Sequence, residues 1–556
     1  MLVRLLSLAV RCGVCAFTLS SAKRVVCNRK RGAALLGKGG AGKIIIVTTA
    51  AIPWRTGTAV NPALRAAQLA ADTEHEVVLV VPFVPVEDQR LIFPEGVTCS
   101  TPQQQEAIIK AWAREHSGLQ ETDFTVLFYA ARYFPASRCI FATEDVCRLL
   151  PQEQVSLVLL EEPEHLNWYR AGSRWSNQFS HVVGVLHTHY SGYAADLPGG
   201  PINKAAVGLV CRVVCRLHCH KVLQLSLLAR GLTRSAVVNV HGVSAKFITA
   251  GEKKAALLRW QQQQRHLQAL EQQHQQQDQD QLQHKHHHQQ QQQQQKHFDC
   301  VLQHSNDQQK QQQPQQVELV AACGQPVQSA FSKGAYFLGK ALWDKGHGDM
   351  MALLQDHEAK HGQVPVDVYG SGPDLAAIEA EAARRGLALS FKGQADHCCP
   401  ALQEYKVFIN CCKKDVLATA TAEAVAMNKW ALLPHAPCNA FFAQFPNVLL
   451  FSNAAGFSAA LCRALEEEPP ALSAQHLREL SWAAATERLL AAASIQAQEW
   501  PGAAAQLWDD CLWVPYRLFA LLFIGARNAF APAPKLQQQQ QCGAQEPLLQ
   551  VQQLMV

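Results

Sequence analysis

The sequence lacks any uninterrupted apolar run of 18 or more residues, so we expect no transmembrane helix. It also lacks a stripe of Lys and Arg interleaved with aromatic residues, and its formal net charge of +5 is spread over both signs. This pattern does not indicate a nucleic-acid partner. With 556 residues, 48% of them hydrophobic, the chain can bury two large cores.

Acidic residues are absent from the first 71 positions, and Asp72 is the first. Residues 1–43 carry nine Lys or Arg. Basic leaders without acids are typical of organelle transit peptides and membrane-targeting anchors. We therefore interpret residues 1–42 as a basic targeting leader.

A regular cysteine framework is also missing, although the chain has 19 cysteines. This favours the reduced, mostly buried thiols of an intracellular protein. Cys211, Cys215 and Cys219 recur every four residues beside His218 and His220. A zinc site there stays open as an alternative, but such a stripe is more often part of a core.

The C-terminal tail, residues 501–556, contains the apolar stretch Leu512–Ala526, which Pro515 and Arg517 interrupt. The stretch is too short to span a bilayer. It suits either a segment in a membrane interface or a helix packed on the body, and the sequence does not separate the two.

Low complexity marks the clearest boundary in the chain. From Gln261 to Gln316, 28 of 56 residues are Gln. Such a segment cannot bury enough apolar surface to order itself. We expect residues 251–330 to form a disordered Gln/His-rich linker between two patterned regions.

Both patterned regions alternate apolar runs with helix-like stretches. The predicted strands of the first are Ile44–Ala50, Val77–Phe83, Thr125–Ala130, Val155–Leu160, His181–Leu186, Lys221–Ser226 and Val237–His241. Those of the second are Tyr336–Gly339, Val366–Tyr369, Leu387–Phe391, Val407–Asn410, Ala431–Leu433 and Val448–Phe451. This alternation predicts an α/β protein with two doubly wound, Rossmann-like parallel sheets, over residues 43–250 and 331–472, with a closing helix over 473–500. Ligands of such sheets bind beyond the carboxyl ends of the strands, so we expect a ligand in the cleft between the two domains.

Charged residues at the predicted strand ends of the second domain indicate a sugar-nucleotide site. Lys340 and Lys345 follow the strand in YFLGK and suit a diphosphate, although most lysines are simply solvated. Asp415 and Glu423 lie eight apart around the start of a predicted helix near Ala418, where carboxylates can accept the hydroxyls of a hexose and a ribose.

Glycine-containing turns offer close backbone approach to such a ligand. Gly57 and Thr58 follow the first strand, and Gly370, Ser371 and Gly372 follow VDVY. Either turn alone is weak evidence, because ordinary turns use the same residues.

Two further strand ends in the first domain carry polar residues. His187 ends a strand in VVGVLHTHY and can donate to a phosphate or sugar hydroxyl; the alternatives are a structural role or His189 as the cleft residue. The loop beginning EEPEHLNWY supplies acids and flat aromatic rings that suit a sugar acceptor or a well-packed loop. Its candidate residues are Glu162, Glu164, His165 and Trp168.

Together these segments resemble the digalactosyldiacylglycerol synthases of plants and algae. The matching pieces include AIPWRTGTAVNP, EEPEHLNWY, HVVGVLHTHY, VVNVHGVSAKF, FSKGAYFLGKALWDKG, DVYGSG, KVFIN, DVLATATAEAVAM and LSWAAATERLL. They follow the family's order and cover about 43–250 and 330–495.

The resemblance implies a retaining GT-B glycosyltransferase similar to glycosyltransferase family four. Such an enzyme moves galactose from UDP-galactose to monogalactosyldiacylglycerol. The resemblance also implies a peripheral membrane location at the chloroplast outer envelope, and no metal or other cofactor in the donor site. It does not imply an oligomeric state.

By position, the resemblance assigns Lys340 and Lys345 to the diphosphate and Asp415 and Glu423 to the family's acidic pair. It places the amides of Ala418 and Thr419 at the diphosphate and His187 near the transferred sugar. This chain departs from the pattern at 411–414, which reads CCKK, and at Asn428, where Gly is common. The alternatives are a different lipid glycosyltransferase, such as a sulfolipid synthase, and a catalytically inactive nucleotide-sugar binding protein.

Overall fold

The computed structural model describes residues 42–301 and 330–528, except 136, 170–171, 197 and 228–230. Its first unit is built on an eight-stranded sheet. The strands are β1 (Lys43–Val47), β2 (Glu76–Phe83), β3 (Thr125–Phe134), β4 (Cys139–Ala142), β5 (Val155–Glu161), β6 (Val182–Leu186), β7 (Lys221–Gln224) and β8 (Ser235–Val237). Their order is β4-β3-β2-β1-β5-β6-β7-β8, and among the described pairs only β3–β4 is antiparallel.

Helices cover both faces of this sheet. They are α1 (Gly57–Asp72), α2 (Val86–Ile92), α3 (Pro102–Ser117), α4 (Val146–Leu149), α5 (Pro163–Asn167), α6 (Trp175–Gln178), α7 (Tyr190–Ala194) and α8 (Gly200–His218). In β1, Ile44 and Ile46 enter one apolar core while Ile45 and Val47 enter the other. The continuous apolar run therefore follows from burial on both faces of a parallel sheet.

The second unit repeats this plan with six parallel strands. They are β9 (Lys333–Leu338), β10 (Val366–Tyr369), β11 (Leu389–Gly393), β12 (Tyr405–Ile409), β13 (Trp430–Pro434) and β14 (Val448–Phe451), in the order β11-β10-β9-β12-β13-β14. Its helices are α10 (His347–His361), α11 (Leu375–Arg385), α12 (Pro400–Gln403), α13 (Thr419–Ala426) and α14 (Ala454–Glu466), with 3-10 turns at Trp343–Lys345 and Pro437–Gln444. The predicted pair of doubly wound sheets is thus confirmed.

Helix α9 (Ala245–Val301) extends into the expected linker, so residues 251–290 are helical where we expected disorder. Its first turns are anchored, because Phe247 and Ala250 join a core of the second unit and Leu258 packs on Phe331. Beyond 264 its described side chains are exposed. Gln is a good helix former, so a polar run can continue an anchored helix. Residues 302–329 of the expected linker lie outside the described residues.

The chain then returns to the first unit. The single closing helix expected over 473–500 is two helices, α15 (Ala474–Leu480) and α16 (Trp482–Ala493), which meet at Ser481. Trp482, Ala485 and Leu489 of α16 lie in a core of the first sheet. The second unit is therefore tied to the first at both of its ends.

The last helix, α17 (Ala503–Asn528), contains the apolar stretch Leu512–Ala526 and packs on α8 through Tyr516, Val214 and Leu217. In the part of the chain that the structure describes, no helix combines the length and apolarity needed to cross a membrane. Most of the expected leader, residues 1–41, and the tail from 529 onward lie outside the described residues.

Candidate active site

A cavity of about 1080 Å³ lies where the carboxyl ends of the two sheets face each other. Both units contribute to its lining. Of the residues predicted from the sequence, it brings together Gly57, Thr58, Glu164, His165, Trp168, His187, Lys340, Lys345, Asp415, Ala418 and Thr419. Two parallel sheets with a shared cleft form the GT-B arrangement, and this is where such sheets bind ligands.

The two lysines enter the cavity from the loop between β9 and α10. Lys345 ends a 3-10 turn, and its ammonium group forms an ion pair with Asp415. Burial opposes the charged form of Lys345, but Asp415 and Tyr193 outweigh it and raise its pKa. Burial lowers the pKa of Lys340, and the charge of Lys345 lowers it further. An anion placed between these lysines relieves their mutual repulsion, so the pair suits a diphosphate.

Two helix ends add partial positive charge to the cavity. Ala418 is the N-cap residue of α13 and offers no side-chain oxygen to the first amides of that helix. At the start of α1, the N-cap residue Thr56 also makes no side-chain capping bond. Gly57 has an ordinary backbone conformation, and a methyl group there would meet only Asn61, at 3.6 Å. Both ends therefore leave backbone N–H groups available to an anion.

The turn Gly370–Gly372 is not part of the described cavity lining and instead supports the loop that carries Lys340. The amide of Ala341 donates to the carbonyl of Ser371 at 2.9 Å. A side chain at Gly370, whose φ is +135°, would overlap the carbonyl oxygen of Gly339. Glycine is therefore required here by the close approach of two backbone segments.

Glu423 also lies outside the described cavity lining. Its carboxylate accepts a hydrogen bond from Nδ1 of His397 at 2.6 Å. Burial works to lower the pKa of His397, but Glu423 outweighs it, so the pKa is raised. The sequence did not single out His397, because 26 positions separate it from its partner.

His187 is hydrogen-bonded to one of two buried charged groups, Glu161 and Arg65. Its Nε2 donates to Glu161, whose other carboxylate oxygen accepts from Nε of Arg65 at 2.7 Å. Burial tends to raise the pKa of Glu161, but Arg65 and His187 outweigh it, and the pKa is lowered. A fixed carboxylate on Nε2 orients the imidazole and leaves Nδ1 for a ligand. His189 lines the same cavity, so both candidate histidines face it.

The loop beginning EEPEHLNWY has one part inside the cavity lining and one part outside it. Glu162 lies outside the described lining, since its carboxylate accepts from Thr49 at 2.8 Å and from Tyr190 at 3.0 Å. Glu164 lines the cavity and is buried, and its Oε2 has no hydrogen-bond partner among the described residues. Burial, reinforced by the charge of Glu162, raises the pKa of Glu164 well above its usual range. A neutral Glu164 can donate a hydrogen bond to a ligand hydroxyl.

The cysteine stripe of α8 serves packing. Cys215 and Cys219 are buried in a core of the first unit. His218 shares a hydrogen bond with the hydroxyl of Tyr516 at 3.2 Å, and His220 accepts from the amide of Val182 at 3.0 Å. These contacts account for Cys215, Cys219, His218 and His220, whereas Cys211 lines the cavity.

No family model matches the chain, but known proteins are similar to most of it. Digalactosyldiacylglycerol synthase 1, chloroplastic, of Glycine max is 37% identical over 447 residues, 80% of this chain and 48% of that protein. Digalactosyldiacylglycerol synthase 2, chloroplastic, of Glycine max is 34% identical over 452 residues, 81% of this chain and 83% of that protein. The chain therefore spans about half the length of the first relatives and most of the second.

Solved structures show weaker likeness. A sucrose-phosphate synthase from Thermosynechococcus elongatus is 12% identical with a TM-score of 0.44, covering 87% of this chain and 100% of the other. An α,α-trehalose 6-phosphate synthase from Burkholderia multivorans is 11% identical with a TM-score of 0.39, covering 90% and 100%. Both scores are below 0.5, so the fold assignment rests on the two sheets of this chain. Its sequence, which is 34% identical to the two synthases of type 2 from Glycine max and Arabidopsis thaliana over 83% and 80% of their lengths, shows that the chain belongs to the digalactosyldiacylglycerol synthase family.

Proposed function

We propose that the chain transfers galactose from UDP-galactose to monogalactosyldiacylglycerol with retention of configuration, giving digalactosyldiacylglycerol. The observation that carries this proposal is the cavity between the sheets, where the lysine pair Lys340 and Lys345 and two helix N-termini meet an oriented histidine. Membership of the family supports the choice of donor and acceptor.

The donor diphosphate occupies the end of the cavity with Lys340 and Lys345. When the sugar–phosphate bond breaks, negative charge grows on the departing UDP, and fixed cations stabilise that charge most in the transition state. The amides of Ala418 and Thr419 add hydrogen-bond donors to the same anion. We propose that these groups neutralise the diphosphate without a metal ion.

The rest of the donor extends to either side of the diphosphate. Asp415, displaced from Lys345 by the diphosphate, accepts hydroxyls of the hexose. The galactose then lies towards His187, which Glu161 holds in place. Glu423 and the turn Gly370–Gly372 serve the nucleoside, in line with the family resemblance. That role requires His397 to release Glu423 or to share it with the ribose.

The lipid acceptor enters from the side of the first unit. Neutral Glu164 donates to a hydroxyl of the acceptor galactose, and the ring of Trp168 packs against the sugar face. Beyond them the cavity wall becomes apolar at Val207, Val210 and Phe519. Such a gradient from polar to apolar suits a glycolipid, whose headgroup reacts while its glycerol remains near the membrane.

Helices α8 and α17 supply the surface that contacts the membrane. Their exposed apolar side chains are Ile202, Leu209, Trp508, Val514, Leu518 and Phe519. Lys204, Arg212 and Arg517 are also exposed there, and α8 contains no acidic residue. An apolar face with basic neighbours binds a lipid interface peripherally. The location we propose is the chloroplast outer envelope, and the names of the relatives support the chloroplast.

One assay tests the activity and separates it from the alternatives. The purified chain is given UDP-galactose, UDP-glucose or UDP-sulfoquinovose, with monogalactosyldiacylglycerol or diacylglycerol in vesicles, and the lipid products are identified. We expect digalactosyldiacylglycerol from the first donor and the first acceptor. Transfer of another sugar indicates a different lipid glycosyltransferase, and UDP-galactose binding without turnover indicates an inactive binding protein.

A further inference from the structure

A cluster of metal-ligating side chains lies on the second unit, away from the cavity lining. His357 and His361 belong to α10, and Cys462 belongs to the neighbouring α14. One ligand atom from each of the three lies within 4.8 Å of the others. Small rotamer changes can therefore bring them to a common ion at about 2.0–2.3 Å.

The helical spacing accounts for this convergence. His357 and His361 are four residues apart, so they lie on one face of α10. Their rings stack with centroids 4.9 Å apart and planes at 24°. Ser458 and Cys462 have the same spacing on α14, and the hydroxyl of Ser458 is 2.6 Å from Nδ1 of His357. That bond orients the ring and leaves its Nε2 as the nitrogen available to a metal.

The ligand set and its exposure define the class of ion. Two imidazoles and a thiolate favour zinc and related transition metals over magnesium or calcium, which prefer oxygen. His357 is buried, Cys462 is half-buried and His361 is exposed, so water can complete a tetrahedron. We propose that His357, His361 and Cys462 bind a zinc-class divalent ion that joins α10 to α14.

The place of the cluster in the fold makes this ion structural. Met350 and Leu354 of α10 and Phe457 and Leu461 of α14 share one core. His361 ends α10, whereas Lys345 precedes its other end, about 20 Å away along a helix of 15 residues. The ion therefore stabilises the helix pair and takes no part in the transfer reaction.

Cobalt(II) is the probe, because a cobalt–thiolate bond gives a charge-transfer absorption that imidazole alone does not. The Gln/His-rich segment would compete for metal, so the background is the full chain with His284, His286, His287 and His288 replaced by Gln. We expect one equivalent of cobalt with a thiolate band, displaced by zinc, and a higher midpoint of thermal unfolding with zinc. Ser458→Ala should weaken binding about 10- to 100-fold, since it removes only the orienting bond.

Cys462→Ser and His361→Gln should abolish the band and the thermal shift, whereas Cys511→Ser, which alters an exposed thiol on α17, should keep both. Comparable unfolding of the metal-free variants and parent establishes that the variants fold. A background protein without the thiolate band, or a band that survives Cys462→Ser, would overturn the proposal. These experiments do not measure transferase activity, so a failure of the proposed metal site can be distinguished from a failure of the proposed function.

Discussion

Lys414 of the second unit forms an ion pair with Asp196 of the first, and the same ammonium group lies 2.6 Å from Asp344. Lys414, Asp196 and Asp344 all line the cavity. The ion pair therefore links the two units at the wall of the cavity.

Lys414→Ala should raise the KM for UDP-galactose several-fold and change the free energy of unfolding by less than about 1 kcal/mol, because exposed ion pairs contribute little to stability. High salt should reduce the difference from the parent, since salt screens such pairs. The control is Lys413→Ala, whose partner Asp349, at 2.9 Å, belongs to the same unit. An equal effect of both substitutions on the KM would contradict a role for the cross-unit pair.

Replacing one cavity lysine tests the diphosphate site. Lys340→Ala should lower turnover by roughly 10²–10³ with the fold intact, because it removes a cation that acts on the leaving group. Lys392→Ala changes an exposed lysine of the same unit, paired with Asp367 at 3.3 Å, and should leave turnover unchanged. Steady-state rates and thermal unfolding are measured for both. Turnover near that of the parent in Lys340→Ala would remove this residue from the mechanism.

Much of the fold was accessible from the sequence because buried parallel strands are continuous apolar runs. The predicted limits of β10 and β14 match the structure, whereas the strand predicted at Val237–His241 is β8, Ser235–Val237. The prediction placed the strand too late because it relied on apolar residues that are buried, and Val240 is buried without belonging to a strand. The missed strand β4 is a four-residue edge strand beyond the turn at Arg138, too short for a periodic signal.

The residues that line the cavity could be predicted from the sequence where they directly follow the end of a strand. Lys340, Lys345 and Asp415 meet as the sequence predicts, since each follows a strand of one parallel sheet. Glu161, the partner of His187, and Arg65, the partner of Glu161, were not predicted, because both lie far from His187 along the chain and no local spacing indicates such contacts.

Substitution of Gly57 and of Gly251 by Ala should have different effects on protein stability. Gly57→Ala should keep stability within about 0.5 kcal/mol, since space and backbone conformation permit the methyl group, but should weaken UDP-galactose binding if the diphosphate approaches this backbone. Gly251→Ala should destabilise the protein, because its methyl group would overlap the carbonyl oxygen of Ala426 at the contact of α9 with α13. Thermal unfolding and donor titration distinguish the two. Full donor affinity in Gly57→Ala would contradict the close approach.

Glu164 predicts a pH-dependent stability. Its pKa in the folded protein is raised above the unfolded value of about 4.3, so the unfolded chain releases this proton first. Stability therefore falls as pH rises from about 4.3 to the folded pKa. Glu164→Gln keeps a neutral hydrogen-bonding group without this penalty, so its unfolding temperature should exceed that of the parent by more at about pH 8 than at about pH 5. Equal differences at both pH values would contradict a neutral buried Glu164.

The exposed part of the Gln/His-rich segment should be dispensable. Gln261 is the last buried residue of α9, and the described side chains beyond 264 are exposed, so deleting 265–316 removes no described core contact. Lys254 of α9 donates to the carbonyl of Ala330, so the chain re-enters the second unit close to the anchored first turns of α9. Residues 317–329 remain as a linker of 13 residues, which can span about 40 Å when extended. This length is enough to connect residue 264 to Ala330.

We expect the protein lacking 265–316 to keep its turnover and to change its unfolding free energy by less than about 1 kcal/mol, measured with the galactosyltransferase assay and denaturant titration. Deleting 255–316 is the destabilising comparison, because it also removes Leu258 and its contact with Phe331. Loss of activity in the shorter deletion would assign this segment a role in catalysis or membrane binding.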